Sequence, residues 1–227
     1  MFSQTTDTMT LDNAYKTVIS AYFYGRGYFT AIDQKLFGTE HFADVVAVLP
    51  VFRELQWRTQ NGYAPCGVLQ FLPGDEWVSL DELCERCGYS MDFVGGVLEE
   101  AAGRGWVEIG VEDGVARCRN LRFRNSVREC VAAFYGQEDF QKKLDLLEDY
   151  KGVFNQVYFI FSYPVDDETK HLLASRGYGY IRYYEKRGAF LEMIPADVEE
   201  TTDWGRYSVL AENVLYDNMN FRRDELI

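Results

Sequence analysis

The hydrophobic pattern at the start of the chain predicts a helix followed by two strands. Residues 11–24 carry apolar side chains three and four positions apart, which is typical of an amphipathic helix. This helix is expected to end at Gly25 or Gly27, since glycine favours the left-handed conformation that terminates helices. Short runs of apolar residues then predict strands at 28–32 and 42–49.

From residue 51 to residue 120 the pattern changes to short helices separated by turns. Helical spacing predicts compact helices at 80–87, which Ser79 can cap, and at 91–102. Two short strands follow, joined by a turn at Asp113-Gly114. Helix, turn, helix and hairpin in this order is typical of a winged helix-turn-helix. The remaining elements predicted here are helices at 51–60 and 66–72 and the hairpin strands at 106–109 and 115–118.

After residue 120 predicted strands and helices alternate. The strands are expected at 127–135, 156–161, 178–184 and 189–194, and the helices at 139–150, 167–175 and 207–219. Alternation of this kind is typical of a mostly parallel sheet. We therefore predict an α/β fold with one discontinuous domain, 1–50 and 121–227, and a winged helix-turn-helix inserted at 51–120.

Composition restricts the classes to which this protein can belong. Of 227 residues, 47% are hydrophobic and 16% aromatic, which is enough for a sizeable core and excludes a disordered chain. No apolar run approaches the roughly 20 residues that a membrane span needs. The first residues lack the pattern of a secretory signal. We therefore expect a cytoplasmic protein with no membrane partner.

The net charge of −13 argues against a protein that coats nucleic acid, because such proteins carry a basic surface. The predicted insert is itself acidic, with 6 basic and 12 acidic residues. One stretch without acids, hereafter the arginine segment, has the opposite character. It contains Arg117, Arg119, Arg122, Arg124 and Arg128. This segment predicts a stripe between the two domains that contacts DNA phosphates. The alternative is a solvated strand, or salt bridges between the two domains that involve the many acids.

Cysteines form the one arrangement with a familiar metal-ligand spacing. Cys84 and Cys87 are a C-x-x-C pair, to which Cys66 and Cys118 could add the remaining ligands of a structural zinc site. The alternative is that the pair packs as small apolar side chains on the buried face of a helix. We favour packing, since no second C-x-x-C or histidine pair is present.

Outside the predicted insert, the order of elements resembles that of the PD-(D/E)XK nuclease superfamily. The stretches 27–29 and 43–48 are similar to the family's approach to its first metal-binding aspartate, here Asp44. The stretches 131–160 and 177–181 are similar to the strands and helix that follow it. The resemblance implies a restriction-endonuclease-like mixed sheet flanked by helices.

The resemblance also implies a catalytic pattern that this chain keeps only in part. In the family, two acids on adjacent strands hold Mg²⁺, and a lysine two residues after the second acid acts on water. Asp44 matches the first acid, whereas Ala133 and Tyr135 stand at the positions of the second acid and the lysine. The nearest replacements are one acid of the same strand and two lysines of the next helix: Glu129, Lys142 and Lys143.

Three functions follow from these observations. The leading prediction is a catalytically inactive nuclease-fold protein in DNA-associated binding or regulation, with Asp44 and Glu129 as the remnant of the catalytic site and no cofactor. The first alternative is a divergent metal-dependent DNA endonuclease with Mg²⁺ at Asp44. The second is a protein–protein adaptor that uses the winged module and binds no nucleic acid. The sequence leaves open whether the protein forms a homodimer.

Overall fold

The computed structural model describes residues 5–36, 42–60, 67–72, 74–136 and 139–225. The helices are α1 (Thr5–Tyr24), α2 (Phe52–Gln60), α3 (Leu80–Cys87), α4 (Met91–Gly103), α5 (Phe140–Glu148), α6 (Asp167–Ser175) and α7 (Trp204–Glu225). The strands are β1 (Phe29–Lys35), β2 (Phe42–Pro50), β3 (Val78–Ser79), β4 (Val107–Glu112), β5 (Val115–Asn120), β6 (Val127–Tyr135), β7 (Gln156–Phe161), β8 (Gly179–Tyr184) and β9 (Ala189–Ile194). In the described residues the predicted helices and strands are confirmed, most of them with shifted ends. The helix predicted at 66–72 differs, since Gly67–Phe71 forms a short 3₁₀ helix, and β3 was not predicted.

The larger sheet has six strands in the order β1-β2-β6-β7-β8-β9. Strands β6, β7 and β8 are parallel to one another, and the other neighbours are antiparallel. The parallel part follows from α5 and α6, each of which returns the chain to the same edge before the next strand starts. The prediction of an α/β fold with a mixed sheet flanked by helices is confirmed at this level.

Helices cover both faces of the six-stranded sheet. Ile19 and Phe23 of α1 pack with Val45 and Ala133 on one face. Side chains of α5, α6 and α7 pack on the other face, where Phe134 and Phe159 lie in the core. Strand β6 is buried almost throughout because it lies in the middle of the sheet, which explains its continuous apolar sequence.

A second hydrophobic core surrounds a three-stranded sheet with the order β3-β5-β4. Leu83 of α3 and Leu98 of α4 pack there against Trp106. Ser79 Oγ accepts a hydrogen bond from the amide of Glu82 at 3.2 Å and so caps α3, as predicted. The predicted order of helix, turn, helix and hairpin is present, whereas the division of the chain into two domains stays a prediction.

A buried ion pair joins α2, which leads into this second core, to α7. The two terminal nitrogens of Arg58 donate hydrogen bonds to the two carboxylate oxygens of Glu212 at 2.8 and 2.7 Å. Arg58 also donates to the Ser126 hydroxyl at 3.1 Å. Both charged side chains are buried. The hydrogen bonds of this one guanidinium group therefore connect α2, α7 and the segment before β6.

Two glycines in the middle of α4 provide a test of local stability. A Cβ built at Gly95 or Gly96 meets no atom of the described chain within 4 Å. We expect Gly96→Ala to raise the free energy of unfolding by about 0.5–1 kcal/mol in urea denaturation, because glycine disfavours helix interiors. Gly88→Ala is the matched control: its site is equally open, but its φ of +71° makes alanine unfavourable. A less stable Gly96→Ala protein would contradict the expectation.

Candidate functional site

Asp44 lies at the start of β2 and is 8% exposed. Its Oδ2 accepts hydrogen bonds from the amide of Tyr135 and from Nζ of Lys143, both at 2.8 Å. Its Oδ1 lies 3.9 Å from Nζ of Lys16. One backbone amide and two ammonium groups therefore surround this carboxylate.

Of the two helix lysines predicted as replacements, only Lys143 reaches Asp44. Helix α5 begins just after the end of β6, so its first turns lie beside the end of that strand. Lys143 also donates to the carbonyl oxygen of Tyr135 at 2.7 Å. Lys142, one residue earlier, is 77% exposed in its side chain and pairs with Asp139 at 2.9 Å. The geometry assigns the contact to Lys143 because successive helical residues point in different directions.

Two residues of this cluster were not among those predicted. Lys16 pairs with Asp33 at 2.7 Å and is almost buried. Lys16 lies on the same buried stripe of α1 as Ile19 and Phe23, and a lysine at such a position is a signal of an internal ion pair. Asp33 adopts a φ of +52°, which is uncommon outside glycine and which nothing in the local pattern predicts.

Glu129 does not join this cluster. It pairs with Leu49 near the end of β2, five residues from Asp44, or about 16 Å along an extended strand. The Tyr28 hydroxyl donates to Glu129 at 2.7 Å, and Arg128 lies 3.4 Å away. Burial and the bond to this carboxylate raise the pKa of Tyr28 above its ordinary value. The antiparallel register therefore keeps apart the two acids that were predicted to form the catalytic remnant.

The residues around Asp44 do not fit a magnesium centre. Within the described parts of the chain, no three histidine, cysteine or acidic side chains are grouped so that they could hold a metal ion. Asp33 and Asp44 are the carboxylates of the cluster, and Lys16 and Lys143 bind them directly. Mg²⁺ needs several oxygen ligands, and Oδ2 of Asp44 already accepts bonds from the Tyr135 amide and from Lys143. The cluster is therefore an internal ion-pair network.

A second polar network lies where β6, β7 and β8 end. The Tyr15 hydroxyl donates to Glu185 at 2.6 Å, and the Tyr15 ring stacks on Tyr135 with centroids 4.4 Å apart. The Tyr135 hydroxyl lies 3.1 Å from the hydroxyl of Ser162. The bond to Glu185 raises the pKa of Tyr15 and lowers the pKa of Glu185. Ligands of open α/β sheets usually bind at this edge, but here its polar side chains bond to one another.

Two members of the arginine segment form ion pairs within the three-stranded sheet. Arg117 lies 3.0 Å from Glu112, and Arg119 donates to Glu108 at 2.7 Å. Both acids belong to β4, the neighbouring strand. The Arg119 guanidinium also lies 5.0 Å from the centre of the Trp77 ring. These salt bridges lie within one sheet, whereas the salt bridges expected from the sequence joined the two predicted domains.

The other three members of the arginine segment are exposed where the chain returns from β5 to β6. Arg124 donates to the carbonyl oxygen of Phe123 at 2.9 Å. Arg128 is 71% exposed in its side chain, and its contact with Glu129 is long. In the described residues no carboxylate lies within salt-bridge distance of Arg122 or Arg124. These three guanidinium groups are therefore the accessible part of the segment.

The cysteines of the C-x-x-C pair belong to the second core. Cys87 and Cys118 are buried there, and Cys84 packs against the same cluster. Burial raises the pKa of Cys84, and raises that of Cys118 to about 11. The thiols of Cys87 and Cys118 donate to the carbonyl oxygens of Cys84 and Val78 at 3.8 and 3.7 Å, as packed thiols do. Cys66, the remaining predicted ligand, lies outside the described residues.

Comparisons with protein-family models, with curated proteins and with solved structures find no match for this chain. In the part of the chain that the structure describes, no helix combines the length and the hydropathy that crossing a membrane requires. The choice among functions therefore depends on the geometry of the Asp44 cluster and of the arginine segment.

Proposed function

We propose that this protein is a catalytically inactive member of the PD-(D/E)XK-like nucleases, carries an inserted winged helix-turn-helix and binds DNA through the arginine segment. The observation that carries the proposal is the ion-pair network of Asp44. The strand order and the helix, turn, helix and hairpin order support the two fold assignments. The accessible arginines support the DNA partner.

The loss of catalysis follows from what surrounds Asp44. Ala133, at the position that the resemblance assigns to the second acid, offers only a methyl group beside Val45. Lys16 and Lys143 carry the two positive charges that a Mg²⁺ ion would bring. They balance the carboxylates but cannot bridge phosphate oxygens or lower the pKa of a bound water as a metal does. Asp44 therefore has a structural role in this proposal.

The DNA contact is assigned to Arg122, Arg124 and Arg128, because their guanidinium groups are accessible. Arginine binds phosphate through two parallel hydrogen bonds, and each neutralised phosphate releases counterions. The net charge of the chain is −13, so attraction to DNA depends on local groups of cations such as this segment and is sensitive to salt. Arg117 and Arg119 contribute less, since Glu112 and Glu108 already neutralise them.

The test is fluorescence anisotropy of labelled DNA at several salt concentrations. The triple variant Arg122→Gln, Arg124→Gln, Arg128→Gln is expected to lose most of the affinity. The slope of log K against log salt should decrease in magnitude by about 2–3, because each lost phosphate contact contributes roughly 0.9. The matched control replaces three exposed cations elsewhere: Lys142→Gln, Lys186→Gln and Arg187→Gln.

Equal loss of affinity in both triple variants would contradict a specific role of the arginine segment.

The proposed absence of nuclease activity is tested separately by incubation of the protein with DNA and Mg²⁺ or Mn²⁺. We expect no cleavage, and cleavage that disappears in Asp44→Ala would overturn this half of the proposal.

A protein–protein adaptor is the second candidate, and the surface of α4 favours it. Met91 and Phe93 are 49% and 53% exposed at the start of this helix. Asp92, Glu99 and Glu100 lie on the same helix and repel phosphate, and Arg104 pairs with Glu100 at 2.8 Å. Exposed apolar side chains among acids are more suitable for a protein partner than for DNA. Absence of DNA binding at low salt would favour this candidate.

A further inference from the structure

Two grooves meet at Trp204, the first residue of α7. One has a volume of about 360 Å³ and lies between the 3₁₀ turn at Gly67–Phe71 and the chain that returns from β5. The other has a volume of about 490 Å³ and lies between α3 and the start of α7. The Trp204 ring is 42% exposed and lines both grooves. Part of this ring is therefore accessible at the junction of the two cores, while Tyr207 packs against it in a T-shaped contact with the centroids 5.5 Å apart.

The first groove has an apolar floor and a positive edge. Leu69, Leu72 and Phe123 form the floor. Arg124 lies at the edge, and no carboxylate of the described residues lines this groove. The Gln70 amide also belongs to the lining and has no hydrogen-bond partner among the described residues. A flat ring, an apolar floor and a guanidinium together suit a base attached to a phosphate.

The second groove is mixed in charge. Arg86 and Lys151 line it together with Glu85 and Asp203. Asp203 is occupied within the fold, because it pairs with Arg206 at 2.7 Å and accepts from the amide of the same residue at 3.0 Å. Arg86 is occupied as well, because it pairs with Glu82, so the net positive side of the Trp204 ring is at Arg124.

Arg124 connects this ring to the arginine segment. The same guanidinium lines the first groove and belongs to the accessible cations assigned above to DNA phosphates. A strand whose backbone follows these arginines would bring its bases to the groove that Trp204 borders. A base of intact duplex DNA cannot stack on this ring, because both of its faces are covered by neighbouring base pairs.

We propose that Trp204 stacks on an unpaired base of single-stranded DNA whose phosphates contact the arginine segment. This inference rests on the proposed DNA-binding function and adds the form of DNA that is recognised. Single strands should therefore bind more tightly than duplexes of the same length at equal salt.

The test compares a labelled thymidine oligonucleotide with a labelled duplex of the same length at one salt concentration. Trp204→Leu removes the aromatic face, and we expect single-strand affinity to fall about tenfold or more, as is typical of one lost base stack. Duplex affinity should be unchanged. Trp204→Phe keeps a flat ring and should retain most of the single-strand affinity. Tyr216→Leu, an exposed aromatic on the same helix, is the matched control.

One result would overturn only this inference. Both probes would bind, and Trp204→Leu would not lower the affinity for the single strand more than the affinity for the duplex. Absence of binding to either probe at low salt would instead overturn the proposed function and this inference with it. Thermal unfolding of each variant checks that the fold is retained. If Trp204→Leu unfolds, quenching of tryptophan fluorescence by the single strand is compared between the original chain and Trp204→Phe. Quenching that is lost in Trp204→Phe supports the inference, and equal quenching in both contradicts it.

Discussion

Replacing Arg58 with alanine is expected to lower the free energy of unfolding by about 3–5 kcal/mol, because it breaks a buried ion pair by removing one of its two charges. Glu212, only 3% exposed, would lose two hydrogen bonds to the guanidinium group. Ser126 would lose its bond to the same group. Urea denaturation followed by circular dichroism measures the loss. Arg53→Ala, an exposed arginine of the same helix, is the control and should change stability by less than about 0.5 kcal/mol.

A double variant separates the cost of an unpaired charge from the value of the pair. Arg58→Met with Glu212→Leu replaces both charges with apolar side chains of similar size. We expect it to be more stable than either single variant, since replacement of a buried pair is often neutral whereas breaking it is costly. A double variant as unstable as the sum of the single changes would show that the two side chains do not act as a pair.

Replacing Asp44 with alanine is expected to lower the free energy of unfolding by about 2–3 kcal/mol, because Lys143 and Lys16 would keep their charges in a mostly buried setting. Asp44 also accepts a bond from the amide of Tyr135, which would lose its partner. Chemical denaturation again measures the change. Asp167→Ala is the control: this acid is almost fully exposed and pairs with Lys170, so its removal should cost less than about 1 kcal/mol.

The Asp44→Ala variant also distinguishes a structural carboxylate from a metal ligand, when melting temperatures are compared with and without the metal. A ligand that binds only the folded state stabilises that state by RT ln(1 + c/Kd), where c is the free ligand concentration, so the melting temperature rises with the ligand concentration. We therefore expect Mg²⁺ and Mn²⁺ to leave the melting temperature of the original chain unchanged at constant ionic strength. A metal-dependent rise that Asp44→Ala abolishes would contradict the assignment of Asp44 to an ion-pair network.

Within the candidate site, the residues that could be identified from the sequence are those whose positions follow from a single strand or from a short connection between neighbouring elements. Asp44 was identified by its place in a predicted strand. Lys143 was named as one of two lysines in the helix after the adjacent strand, and its contact with Asp44 follows from the short connection between β6 and α5. Glu129 was named as the nearest acid of the same strand, and the register of β2 and β6 places it beside Leu49, away from Asp44.

The sequence by itself determined the helices and strands of this protein. Their apolar spacing is a local property, and for α3, β6 and β7 even the ends agree residue for residue. Only the tertiary structure decided which charges meet. Lys16, Asp33 and Asp44 come from three different elements, and Arg58 and Glu212 are separated by 154 residues. Such contacts depend on strand register and helix packing, which bring distant residues together without leaving a periodic pattern in the chain.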